Sequence, residues 1–415
     1  MIYARFIYAA IFILSLVWVV ISDWLLDRSY GVLCYGIFHY LPWCYYSSEN
    51  SIGYYHLMKV SFSLFCFHLC LLLLTIPASF VKGTTIFKNI HRRLWWIKVP
   101  LLVTFYVCTL VIPNPVYLLY MVAALILSVI FVVCQVMLLT EFAVRTNNAI
   151  ITRIPEGSKI LLIALSVTLL IVAALQYLVT GTLYFFCFPV WPLYMLGFIL
   201  VAIVVIFSIA IERGSLFVAA VLSLFFTFMV VLAIESNSEF WAHWINSFFH
   251  FFDFILPNVS YCPLDFGEYG GYWFKFFFGS VISIVFKFVH SIWGGVFLVI
   301  AVVTACISKF GFAPLFAQGE FAPESGYDSG NDDDKESGAG ITYHYWQFHA
   351  LMTLASAAIP VAFGSLSSGF ISWYLPVTII VSVIIGVALY LWGLAAPVIF
   401  KDRQFFGPRV SSNAV

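Results

Sequence analysis

Long apolar runs separated by short polar connections set the pattern of this chain. Ten runs are long enough to span a bilayer, at about 6–26, 57–81, 95–112, 116–140, 159–182, 190–211, 215–235, 276–307, 346–368 and 374–400. A spanning helix needs ~20 residues to cross a hydrocarbon core ~30 Å thick. The runs are continuous rather than alternating, which selects helices over barrel strands. The fourth run stands apart. From Val116 to Leu139 it carries no charge, Gln135 is its one strongly polar side chain, and neither Gly nor Pro interrupts it. Its helical pattern extends from Pro115 to about Asn148, or ~50 Å at the rise of an α-helix. Such a helix must tilt or project beyond the hydrocarbon. The pattern predicts an oblique fourth helix with helices on either side that need not form one round bundle.

Composition supports the same class. The 415 residues are 63% hydrophobic and 9% charged, with a mean hydropathy of +1.03. Soluble domains carry about 25% charged residues, so the expectation is an all-α polytopic membrane protein. The zero formal net charge argues against a nucleic-acid partner. The first run, Phe6 to Ile21, follows Arg5 but is longer than a signal-peptide core and lacks an A-x-A cleavage site. It ends in Asp23 and Asp27, flanks that suit a retained first span.

Charge placement orients the spans. With a cytosolic N-terminus, 15 of the 19 Lys and Arg residues fall on the cytosolic side, in clusters such as Lys82, Lys88, Arg92, Arg93 and Lys98. Arg28, Lys59 and Lys275 fall on the opposite side or its edge, and Lys287 falls inside a span. The positive-inside rule then places both termini in the cytosol. The sequon Asn258-Val259-Ser260 lands on the lumenal or extracellular face, where glycosylation occurs. The acidic, Gly-rich stretch within 309–342, with Asp332, Asp333, Asp334 and Glu336, lands in the cytosol as a disordered loop, because it has too little apolar content to fold. Residues 239–256 are crowded with aromatics but broken by Glu239, His243, Asn246, His250 and Asp253. That mixture suits a helix lying in the interface.

The cysteines divide by side. Cys34, Cys44, Cys187 and Cys262 fall on the oxidising face; Cys34 and Cys44 are close enough in sequence to close a short ring, but four cysteines admit three pairings and sequence does not choose among them. Cys66, Cys70, Cys108, Cys134 and Cys306 lie within spans or at their edges and read as packing residues. Cys66 and Cys70 share a helix face from which His68 points away, so no metal site is expected there. His344 and His349, five apart near a helix start, read as interfacial. No Walker A motif, HExxH or GxSxG occurs, which points away from an ATP-driven pump and from an enzyme, and no cofactor is called for.

Polarity at membrane depth is the remaining chemical signal, since it is rare and often functional. Gln135 and Glu141 are six apart on the fourth run and do not share a face. Arg145 follows Glu141 by four, the favourable order for a helical ion pair. Glu141 is either a headgroup-level helix end or part of a polar path for lipid headgroups. Lys287 and His290 lie three apart near the middle of the eighth run. A mid-bilayer lysine costs ~3 kcal/mol, so Lys287 faces a partner or a wet groove, or else snorkels from a displaced span boundary. Gln176 in the fifth run reads as an interhelical hydrogen bond rather than a ligand.

At several points the chain resembles the serine incorporator family of eukaryotic membrane proteins. KVSFSLFCFHLCLLLL at 59–74 is similar to that family's second span, and VIPN at 111–114 to its third exit. QVMLLTEFAVRTNN at 135–148 resembles the end of its long fourth helix, with Glu141 where an aspartate is usual. ERGSLFVA at 212–219 and SN at 236–237 resemble the entry and exit of the seventh span. YHYWQFHALMTLAS at 343–356 resembles the start of the ninth, and ALYLWGLAAPVIFKDRQF at 388–405 the last span and its exit. The cysteine-rich N-terminus of many members has no counterpart here, and the lumenal cysteines are fewer.

The resemblance implies ten helices in two bundles joined by a long, tilted fourth helix. It also implies a lipid-associated role in the plasma membrane or an endomembrane such as Golgi, vacuole or endosome. Members are described as phospholipid scramblases, as restrictors of retroviral infectivity, and as suppliers of serine to phosphatidylserine and sphingolipid synthesis. The reading taken here is ATP-independent scrambling of membrane phospholipids along a polar groove lined by Gln135, Glu141, Lys287 and His290. The alternatives are a carrier or scaffold that hands serine to lipid-synthesising enzymes, and an ion-coupled solute transporter. The last would need a helix broken at the midplane, for which Pro192, Pro360 and Pro397 are the available breakers.

Overall fold

The structure is a computed structural model that describes residues 2–33, 52–79, 90–91, 93–183, 191–211, 214–236, 280–307, 345–363 and 374–399. Ten α-helices occur among the described residues, and no strand. They are α1 (Ile2–Leu33), α2 (Ile52–Thr75), α3 (Trp95–Val111), α4 (Asn114–Arg153) and α5 (Ser158–Leu183). The chain continues through α6 (Trp191–Ala210), α7 (Leu216–Ser236), α8 (Ser280–Ile307), α9 (Tyr345–Ala362) and α10 (Tyr374–Ile399). Seven are long and apolar enough to cross a membrane by length and composition. Cys34, Cys44, Cys187, Cys262, Asn258, the stretch 239–256 and the stretch 309–342 lie outside the described residues.

The fourth helix is one unbroken rod of 40 residues, ~60 Å long and so about twice the hydrocarbon thickness. Its start and stop follow from proline chemistry. Pro113 caps it in extended conformation and Pro115 occupies its first turn, where the missing N–H has no helical partner to lose. At the far end Pro155 cannot continue the ladder, and Ile154 before it leaves the helical region at φ −130°, ψ 65°. Between these stops nothing favours a break.

Helix contacts sort into two groups with α4 as their common wall. One group holds α1, α2, α3, α8 and α9; the other holds α5, α6, α7 and α10. The first half of α4 faces the first group: the Tyr120 hydroxyl lies 2.9 Å from Ser61 Oγ on α2, and Ser128 Oγ lies 3.4 Å from the Ala357 carbonyl on α9. Its second half faces the other group, with Val136 against α10 and Asn147 near Ser215 at the entry to α7. The all-α polytopic architecture expected from the hydropathy pattern is therefore observed, with its helices in two bundles along one long helix.

Burial differs between helices as their sequences require. The central span of α7 is buried along its whole length, enclosed by α4, α5, α6, α8 and α10. A helix apolar on every side has no face to give to water. In contrast α5 and α6 turn apolar faces outward, with Ile160 77% and Ile209 67% exposed, as lipid-facing helices do.

In lipid, apolar area supplies no drive for helices to associate, so close packing decides. Gly294 shows this where α8 crosses α9: a Cβ there would collide with the Ala362 backbone carbonyl. Gly386 does the same for α10, where a Cβ would sit 3.0 Å from Val136 and 3.1 Å from Phe226.

Candidate functional site

The polar groups of α4 separate into two environments. Gln135 is 5% exposed and lines a cavity of about 20 Å³ together with Ser128, Phe228, Gly294, Phe297 and Ala362. A space of that size holds one water. It sits where α4, α7, α8 and α9 converge.

Glu141 lies on another face of the same helix, as its spacing from Gln135 requires. Arg145 donates to its carboxylate from Nε at 2.9 Å and from a terminal guanidinium nitrogen at 2.6 Å. The side chains are 19% and 37% exposed respectively. This is an intrahelical pair, open enough for either charge to meet a group from outside. Lys287 and His290 belong to the first half of α8, and their side chains lie outside the described residues.

A second set of polar groups runs through the first bundle. Near its Trp18 level, the indole N–H donates to the Tyr106 hydroxyl at 3.3 Å, and that hydroxyl lies 3.3 Å from His56 Nε2. Lys59 is 2% exposed, with its ammonium 5.8 Å from the Tyr117 ring centroid, inside cation–π range. The Tyr117 hydroxyl donates to the Thr109 carbonyl at 2.6 Å. Two residues further along α2, Ser61 donates to the Ser356 carbonyl at 2.7 Å. Because that carbonyl can only accept, Tyr120 must be the donor in its 2.9 Å contact with Ser61. One hydroxyl pair thus ties α2, α4 and α9 together.

At the opposite end of the bundle three histidines meet. His349 Nε2 lies 3.1 Å from His91 Nδ1, and the His68 and His349 rings are 5.8 Å apart. All three are fully buried. Tyr8 lies against His349 at 5.0 Å, ring edge to face, and donates its hydroxyl to the His91 carbonyl at 3.3 Å. Lys98, 3% exposed, donates to the same carbonyl at 2.9 Å and places its ammonium 4.4 Å from the Trp95 ring centroid. Both ring nitrogens of His68 and Nδ1 of His349 are buried without a hydrogen-bond partner among the described residues. An unmade bond at such a group costs about 1–3 kcal/mol. The rings are not arranged as ligands: among the described residues no three His, Cys, Asp or Glu side chains group to hold a metal ion.

His349 is buried in the first bundle, against α2 and the segment before α3, and His344 lies outside the described residues. His68 does point away from Cys66 and Cys70, but toward Tyr8 and His349. A usable signal existed for it. His68 shares a helix face with Ser61, Leu64 and Leu71, and an ionisable group at membrane depth turns to the bundle interior. Nothing in the sequence marked His91, which sits among the basic residues before α3 and joins the cluster only through the fold.

Comparison with known proteins agrees with this architecture. The family model described as "Serine incorporator (Serinc)" matches residues 1–254, more than half of the chain. A protein of Monosiga brevicollis described as "Probable serine incorporator" is 34% identical over 104 residues. That match covers 25% of this chain and 21% of the relative, so it spans about a fifth of the relative's length. A multi-pass helical protein matched by this family model over more than half its length belongs to the serine incorporator family.

Proposed function

We propose that this protein is an ATP-independent phospholipid scramblase whose polar track runs beside α4. The observation that carries the reading is the placement of the Glu141–Arg145 pair, part-buried on the one helix that both bundles share. Spontaneous headgroup crossing is slow because charge must enter hydrocarbon. A zwitterionic headgroup has a cation and a phosphate, and the pair offers a counter-charge for each. A carboxylate meets the ammonium, and a guanidinium meets the phosphate through paired N–H donors. Exchange of one ion pair for two lowers the barrier without an energy source. Gln135, Lys287 and His290 are assigned to the same track. The partners in this reading are membrane phospholipids, with both termini cytosolic, in the plasma membrane or an endomembrane.

The described helices favour this over an ion-coupled carrier. Each runs without a break, α3 through Pro100 and α9 through Pro360, whereas a carrier of that kind exposes unwound backbone at its binding site. The test is reconstitution into vesicles that hold a fluorescent phospholipid, followed by dithionite. Scrambling exposes lipid from both leaflets to the quencher, and Glu141→Ala or Lys287→Ala slows the loss. Equal quenched fractions with and without protein would remove the proposal. Serine binding without leaflet mixing would support the reading in which the protein hands serine to lipid-synthesising enzymes.

A further inference from the structure

The lipid track makes no use of the histidine cluster, which lies at the end of the first bundle where α1 begins and α2 ends. Among the described residues its inventory is one-sided. Tyr8 reaches it from α1, His68 from α2, His91 from the segment before α3, and Lys98 from the start of α3. One turn before Tyr8 on α1, the Arg5 guanidinium donates to the Cys306 carbonyl of α8 at 3.4 Å. His349 sits on α9 among them. No acidic residue occurs in α2, α3, α8 or α9. The acids of α1, Asp23 and Asp27, begin ~22 Å along that helix from Tyr8.

Phenylalanine or leucine would fill the volume of His68 without leaving buried ring nitrogens unpaired. What imidazole adds is a lone pair able to take a proton. In the closed cluster neither His68 nor His349 has an acidic neighbour among the described residues to hold that proton. It would put a cation on His68 or His349 within a shell of Tyr8, Phe67 and Phe348. On His349 it would also share the Tyr8 ring with the Lys98 ammonium, 5.2 Å from that ring's centroid. Opening the start of α9 to water removes both conflicts. We propose that His68, His91 and His349 form a proton-binding centre that couples acidification to release of the first turns of α9 from α1, α2 and α3. This inference is independent of the scrambling reading.

Linkage sets its size. A histidine that can take a proton only in the open form adds about tenfold to the opening equilibrium between pH 7.5 and pH 5.5. The experiment is amide hydrogen exchange on the full chain in lipid nanodiscs at about pH 7.5 and about pH 5.5, on either side of the ordinary imidazole value of ~6.5. Rates are corrected for intrinsic exchange. The first half of α9 is compared with α10, which contains no histidine. The expected result is a loss of protection in α9 relative to α10 of about tenfold per histidine released at the lower pH. The differential loss disappears in the triple variant His68→Phe/His91→Phe/His349→Phe. Parallel behaviour of α9 and α10 at both pH values in the wild type would overturn the proposal, whether or not the variant folds. So would a differential loss that persists in the variant.

Discussion

Hydroxyl accounting at the three-helix junction makes a prediction with a definite sign. Ser61 has one proton and spends it on the Ser356 carbonyl, while Tyr120 spends its own on Ser61. Tyr120→Phe removes one neutral hydrogen bond and strands no donor. Interhelical bonds of this type in membranes average ~0.6 kcal/mol, so the loss should be about that. Ser61→Ala removes both bonds and leaves the Tyr120 hydroxyl, on a residue 7% exposed, with no acceptor among the described residues. An orphaned buried donor costs about 1–3 kcal/mol, so this variant should lose roughly 2 kcal/mol. In the double variant the orphan is gone, and the Ser356 carbonyl keeps its place at the helix backbone. Tyr120→Phe should therefore be neutral or stabilising in the Ser61→Ala background, although it destabilises the wild type. The assay is equilibrium unfolding of the four proteins in mixed micelles, read as a double-mutant cycle. Simple additivity, with the double variant the least stable by the sum of the two losses, would refute the donor assignment.

Three further outcomes follow from the packing and the ion pair. Gly294→Ala should destabilise by about 1–3 kcal/mol, because its Cβ meets fixed backbone at Ala362. Gly295→Ala should stay within ~0.5 kcal/mol, because its Cβ meets only the Phe363 ring at 3.5 Å, an ordinary contact; thermal unfolding of the two side by side checks this. Arg145→Ala should cost no more than ~0.5 kcal/mol of stability, as helical i,i+4 pairs do, yet slow lipid exchange in reconstituted vesicles. A loss of folding in place of a loss of rate would show the pair to be structural. Lys98→Met should weaken the contact with Trp95 and the bond to the His91 carbonyl together, lowering the thermal midpoint. An unchanged midpoint would show that neither contributes.

Much of this molecule is written in one dimension. A bilayer demands helices of a certain length, so runs of apolar residues announce the helices directly, and Pro113, Pro115 and Pro155 announce where α4 begins and ends. The i,i+4 offset of Glu141 and Arg145 needs nothing beyond helix geometry, and the ion pair lies where that offset puts it. The family resemblance likewise came from local strings. What sequence could not supply was which faces meet. Apolar side chains are equally at home against lipid and against protein, so hydropathy does not separate α7, which is enclosed, from α5 and α6, which face outward. Gln135 stood out in the sequence as the polar residue of its run, but that it borders a small cavity between α4, α7, α8 and α9 depended on how those helices pack. His68, His91 and His349 lie far apart along the chain and come from three different segments. Only the docking of α9 against α2 and the segment before α3 brings them together, and contact between distant helices leaves no periodic trace in the sequence.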